Sequence, residues 1–157
     1  MQPTLPGILP LLRDVTIFGG LTDETIRHIV EQCSVISFKA REVVIQEGTP
    51  GKEIYIILKG RVKVVLGLDT DHPLEVTEFG PGNCLGEVSL IGILTHSASV
   101  MALEDTEVLV ISKQLLMDIV KDDKNLFSLL ILNIARELAR RLYHTNEILL
   151  HYGSGKK

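Results

Sequence analysis

The sequence has no tryptophan and only two cysteines, Cys33 and Cys84. Two thiols cannot build the disulfide framework of a small secreted domain, so both are read as small buried fillers in a reducing compartment. Positive charge is also short, since 16 Lys and Arg stand against 20 Asp and Glu for a formal charge of −4. Without a positive field the whole chain is not expected to hold DNA or an acidic membrane. His28, His72, His144 and His151 offer no pair at metal-site spacing, and no nucleophile stands beside a base. Metal binding and enzymatic catalysis are therefore not expected. The apolar stretch Met1 to Leu12 carries three prolines, lacks a basic leader and is too short to cross a bilayer. It reads as the loosely ordered start, over residues 1–17, of a cytoplasmic protein.

What is present is a succession of three periodicities in 157 residues, the size of one domain. A short helical part over 18–33 comes first. Leu21, Ile26, Ile29 and Val30 recur at helical spacing, with Thr22 at the N-cap and Asp23 and Glu24 in the first turn. From Ser34 to Ser112 the chain becomes short β-branched runs: Val35–Phe38, Val43–Ile45, Ile54–Leu58, Val62–Leu66, Leu74–Phe79, Ser97–Leu103 and Val108–Ile111. Gly48-Thr49-Pro50-Gly51, Lys59-Gly60, Asp69–Pro73 and Gly80-Pro81-Gly82 punctuate them. Many short strands at this spacing predict a sandwich or jelly roll. Helices then occupy 113–152: a short one around Leu115–Val120, and a long one from about Leu126 to Tyr152. The apolar seam of the long helix, Phe127, Ile131, Ile134, Leu138, Leu142, Ile148 and Leu149, is wider than one small barrel wall needs, which predicts a homodimer through this helix. The alternative is that every seam residue packs on its own barrel. Residues 153–157 read as a flexible tail.

Between the runs Leu74–Phe79 and Ser97–Leu103 lies Cys84-Leu85-Gly86-Glu87-Val88-Ser89-Leu90, where a glycine meets an acid and then one helical turn. The glycine lets backbone approach a ligand, and amides at the start of the turn offer free donors to an anion. Glu87 makes sense beside an anion when the ligand also carries a sugar hydroxyl, which a carboxylate binds strongly. The pattern calls for a phosphate joined to a sugar.

This segment resembles the phosphate-binding cassette of the cyclic nucleotide-binding domain family, which includes the catabolite activator protein and the regulatory subunits of protein kinase A. The likeness extends upstream, where Val44 to Gly60 is similar to the family's glycine-punctuated hairpin with Gly48, Gly51 and Gly60 at the expected spacing. Downstream, Ala139 to Glu147 resembles the part of the activator protein's long helix that reaches the base. The resemblance covers about Phe18 to Tyr152. It implies a mainly β, double-stranded β-helix (jelly roll) with a short N-terminal helix and a long C-terminal helix, forming a single domain over 1–157.

Carried over residue by residue, the resemblance implies that Glu87 takes the ribose hydroxyl. Gly86, Val88 and Ser89 line the cassette turn, Ser97 and Ala98 bound the cyclic phosphate, and Thr145 and Asn146 face the base. One position departs from the pattern. The family places a phosphate-clamping arginine just before the small residues that end the cassette, and here that place holds His96. Arginine offers a bidentate fork at any pH, whereas histidine offers one directed donor and is charged only near or below its reference pKa of about 6.5. Two functions from different classes follow. The first is a cyclic nucleotide sensor, cyclic AMP before cyclic GMP, with His96 as a phosphate ligand and the C-terminal helix read by an unidentified downstream protein. The second is a fold that binds no nucleotide and serves as an interaction or dimerisation module. Arg140 and Arg141 read as a solvated or interface pair rather than an anion clamp, with the alternative that one of them swings to a neighbouring subunit's pocket.

Overall fold

The computed structural model describes residues 5–154 of the chain. In chain order the elements are α1 (Leu5–Asp14), a 3-10 turn (Thr16–Phe18), α2 (Asp23–Val30), β1 (Ser34–Phe38), β2 (Val43–Ile45), β3 (Glu53–Lys59), β4 (Val62–Leu66), β5 (Leu74–Phe79), β6 (Cys84–Leu85), α3 (Glu87–Gly92), β7 (Ser99–Ala102), β8 (Thr106–Ser112), α4 (Lys113–Asp122) and α5 (Lys124–Ser154). The strands form two antiparallel four-stranded sheets, ordered β1-β8-β3-β6 and β2-β7-β4-β5. This is the jelly roll expected from the strand spacing, with helices at both chain ends.

Two strands are buried on both faces, and their sequences explain it. In β3, Ile54, Ile56 and Leu58 turn toward the helices while Ile57 turns into the barrel. β8 repeats the division, with Leu109 and Ile111 against the helices and Val108 and Val110 inside. Side chains alternate across a strand, so only a continuous apolar run can satisfy two cores at once. The helix-side core joins Leu12, Ile17, Phe18, Ile26, Leu116 and Ile134, and it ties both ends of the chain to one sheet.

Three sequence expectations need correction. From Leu5 on the start is not loose: Leu5–Asp14 is helical, with Leu9 and Leu12 buried, and 1–4 lie outside the described residues. Pro10 removes one backbone donor from that helix, but burying two leucines is worth several kcal/mol and outweighs the loss. The expected tail is also shorter, because Gly153 and Ser154 continue α5; 155–157 lie outside the described residues. A two-residue strand, β6, was not foreseen. Elsewhere the local signals hold. Thr22 Oγ1 accepts the Thr25 amide at 3.2 Å and Ser112 Oγ accepts the Leu115 amide at 3.1 Å, capping α2 and α4. No described helix is long and apolar enough to cross a membrane.

The seam of α5 divides at its middle. Leu130 and Ile134 are buried, and Phe127, Ile131 and Leu138 pack on the helix-side core. Leu142, Ile148 and Leu149 are exposed, together with Tyr143, Leu150 and Tyr152. The alternative in which every seam residue packs on its own barrel therefore fails beyond Leu138.

Candidate functional site

β6 reaches the site by pairing with β3, Leu85 opposite Tyr55. Gly86 then takes the left-handed conformation, φ +83°, and a β-carbon there would stand 2.7 Å from the Glu53 carbonyl oxygen. Only glycine meets both conditions, and the turn it makes starts α3 with Glu87 facing inward. Glu87 is 2 % exposed. Its Oε1 accepts from Arg141 Nη1 at 2.6 Å, while its Oε2 is buried with no hydrogen-bond partner. Burial pushes the Glu87 carboxyl above its ordinary pKa even though the Arg141 charge pulls it down.

The other wall is held by backbone. The His96 amide donates to the Thr49 carbonyl and the His96 carbonyl accepts from the Gly48 amide, each at 2.8 Å. Ser89 Oγ donates to the Thr95 carbonyl at 3.3 Å, which ties α3 to the same segment. His96 is buried, and its ring makes no hydrogen bond to another described residue. Burial pulls its pKa below the ordinary histidine value, so the free protein carries it neutral at pH 7.

Seven of the nine residues expected at the site come together. Gly86, Glu87, Val88, Ser89, His96, Ser97 and Ala98 line one hollow of about 150 Å³. Among the described residues, the amides of Val88, Ser89, Ser97 and Ala98 have no backbone acceptor. A buried carboxylate oxygen is almost always paired, so the unsatisfied Glu87 Oε2, with main-chain donors of Val88 and Ser97 open to solvent on the same hollow, marks a place prepared for polar ligand atoms. Larger clefts of about 630 Å³ lie beside α2 and α4 and beside α3 and α4, but neither contains a buried ionisable side chain.

Arg141 is the functional residue that sequence reasoning missed. It is not freely solvated, for its side chain is 26 % exposed and lines the hollow. Its Nη2 donates to the Cys84 carbonyl at 2.9 Å, its Nε donates to Glu137 Oε1 at 3.1 Å, and its guanidinium lies 4.9 Å from the Phe79 ring centre. The signal was available. Arg141 falls three residues after Leu138 and seven after Ile134, on the buried face of α5.

Residues 35–123 match the family profile described as "Cyclic nucleotide-binding domain". The chain belongs to the cyclic nucleotide-binding domain family. Over 139 residues this cyclic nucleotide-binding domain is 27% identical to the "CRP-like cAMP-activated global transcriptional regulator" of Mycobacterium tuberculosis, covering 88% of the chain and 60% of that protein. It is 30% identical over 105 residues to human "cGMP-dependent protein kinase 2", covering 66% of the chain and 14% of the kinase. Among solved structures, a cyclic nucleotide-binding domain from Methylobacillus flagellatus superposes with a TM-score of 0.83 at 22% identity, covering 94% of this chain and 83% of that one. The chain thus spans 60% of the first of these curated relatives and 14% of the second.

Thr145 and Asn146 are the two expected site residues that do not reach the hollow. Both are exposed, and Thr145 Oγ1 donates to the Arg141 carbonyl one turn back at 2.9 Å. A threonine within a helix readily satisfies itself in this way. Four residues beyond Arg141 the helix has advanced about 6 Å along its axis, which takes it past the rim.

Proposed function

We propose that this cyclic nucleotide-binding domain is a ligand-responsive regulatory module whose hollow takes cyclic AMP in preference to cyclic GMP. One observation carries the reading: Glu87 Oε2 is buried without a partner beside free main-chain amides. A ribose hydroxyl donated to that oxygen would remove the cost of leaving it unsatisfied, and the cyclic phosphate would meet the amides of Ser97 and Ala98. Arg141 uses three of its five N–H donors on the protein and has two left for the ligand. The choice of cyclic AMP is supported by the longer alignment, which is with the regulator named for that nucleotide.

The hollow is short of positive charge. Arg141 already faces Glu87 and Glu137, and His96 is neutral when free. A phosphate entering beside His96 would raise its pKa, so ligand binding takes up a proton there. The output is the position of α5: a base stacked at the rim would meet Thr145 and Asn146 only if the helix closes over it, and a ligand shifts such an equilibrium only through differential contacts of this kind. The exposed seam from Leu142 to Tyr152 supports pairing of two copies through α5, with a downstream protein reading the arrangement.

Isothermal titration of the purified chain with cyclic AMP and with cyclic GMP at pH 6 and pH 8 tests the reading. Saturable binding, tighter for cyclic AMP and tighter at pH 6, is expected. Silence with both nucleotides at both pH values would overturn it.

A further inference from the structure

We propose that Glu137 is a positioning residue, which fixes the guanidinium of Arg141 against the nucleotide site and anchors it to the N-terminal 3-10 turn. The proposal rests on the reading of the hollow as a nucleotide site. Glu137 does not line that hollow; it borders a neighbouring cleft with Thr16 and Cys84.

The geometry is a continuous chain of polar contacts through three elements. Glu87 Oε1 accepts from Arg141 Nη1 at 2.6 Å, Arg141 Nε donates to Glu137 Oε1 at 3.1 Å, and Glu137 Oε2 accepts from Thr16 Oγ1 at 3.1 Å. Each carboxylate oxygen of Glu137 thus has a different task. One orients the arginine, and the other is held by a residue 121 positions away.

A glutamate four residues before an arginine on a helix is usually a solvent-screened pair worth little. This pair differs in burial, with the side chains of Glu137 and Arg141 only 22 % and 26 % exposed. Arg140 Nη2 also approaches Glu137 Oε2 at 3.4 Å, but its side chain is 59 % exposed and can follow the solvent. The guanidinium of Arg141 is planar, so its orientation is set by where its three nitrogens are held. Glu87, Cys84 and Glu137 each hold one. Removing the Nε contact leaves the plane free to turn about the two that remain, and the two donors that the protein does not use turn with it. Glu137 is also negative, so deleting it would by charge alone favour an anion. Orientation outweighs that effect, because a misdirected fork loses charge-assisted bonds while a carboxylate beyond the guanidinium acts on the phosphate through a screened field.

The test compares Glu137→Ala, Glu137→Gln and Thr16→Val with the unmodified chain. Two readouts are used: cyclic AMP affinity by titration at 10 °C, with folding verified by circular dichroism, and the solvent exchange of the Arg141 Nε–H by nitrogen-15 NMR without ligand. In Glu137→Ala the Nε–H loses its protection and affinity falls roughly tenfold. Glu137→Gln keeps an amide oxygen for Nε and stays within about threefold of the unmodified chain, and Thr16→Val falls between the two. Unchanged or tighter binding in folded Glu137→Ala, or an Nε–H equally protected in it, would overturn the proposal. A chain that binds no nucleotide at all, yet shows the Nε–H protected and then lost in Glu137→Ala, would overturn the nucleotide reading and leave Glu137 an anchor of Arg141 only.

Discussion

Gly51 passes so close beneath Ser89 that a β-carbon on the glycine would lie 2.5 Å from Ser89 Cβ and 2.7 Å from the Leu90 amide nitrogen. The turn that carries the chain from β2 in one sheet to β3 in the other is thus the surface on which α3 rests. Gly51→Ala should push α3 outward, lower stability by roughly 1 to 3 kcal/mol and weaken nucleotide binding in the same step. Chemical denaturation and titration on one preparation check this. A variant as stable as the parent that binds equally well would show that α3 has room to spare.

Asn133 is buried in α5 and donates from Nδ2 to two carbonyls, Ile17 at 3.1 Å and Gly19 at 2.8 Å. Replacing it with leucine leaves both acceptors without that donor and should cost roughly 2 to 4 kcal/mol. Urea unfolding of Asn133→Leu measures the loss. Because the two carbonyls lie within and just after the 3-10 turn that carries Thr16, amide exchange in residues 16–19 should quicken well before global unfolding.

The pH behaviour of His96 carries a sign that can be worked out. Burial holds its pKa below the ordinary value of 6.5, so in the free protein its contribution to stability is present above that value and lost as pH falls through the depressed one. The bound phosphate acts in the opposite direction, so affinity should rise from pH 8 to pH 6. The other ionisable groups around the ring are Glu87 and Arg141 in the hollow and Lys52, Glu53 and Tyr55 behind it. His96→Arg should remove the pH slope between 6 and 8 and tighten binding roughly tenfold to a hundredfold, the worth of one charged hydrogen bond. An unchanged slope in that variant would assign the proton to another group.

These predictions draw on parts of the molecule that were unequally legible in the sequence. The strands β3 and β8 were plain, because Ile54–Leu58 and Val108–Ile111 are β-branched runs closed by turn residues. The cassette was plain too, since its chemistry lies in consecutive residues from Gly86 to Ser89 and from His96 to Ala98. β6 was not, because two residues between Asn83 and Gly86 show no period at all. α1 was hidden by its prolines, and only the buried faces of Leu9 and Leu12 account for it. Arg141 lines the hollow and Thr145 does not, the reverse of the reading from sequence, and for one reason. Which of them meets the hollow depends on where α5 leaves the barrel, and that is set by contacts such as Asn133 with Gly19 and Arg141 with Glu87, far apart in the chain.

Self-association through α5 can be tested without disturbing the core, since Leu142 and Leu149 are exposed. Sedimentation of the unmodified chain should give twice the mass of one copy, and Leu142→Glu with Leu149→Glu should give one. A monomer in both cases would remove the helix as a pairing surface.

The Glu87–Arg141 contact also marks a mechanical boundary. Up to Arg141 the helix α5 is fastened to the barrel, and the thirteen residues from Leu142 to Ser154 extend beyond it as a helical arm of about 20 Å. A tilt of about 10° at the arginine would swing the tip through roughly 3.5 Å, enough to change which side chains a neighbouring molecule meets. Under the proposed function, an event inside a hollow of about 150 Å³ would in this way become a displacement large enough for another protein to detect.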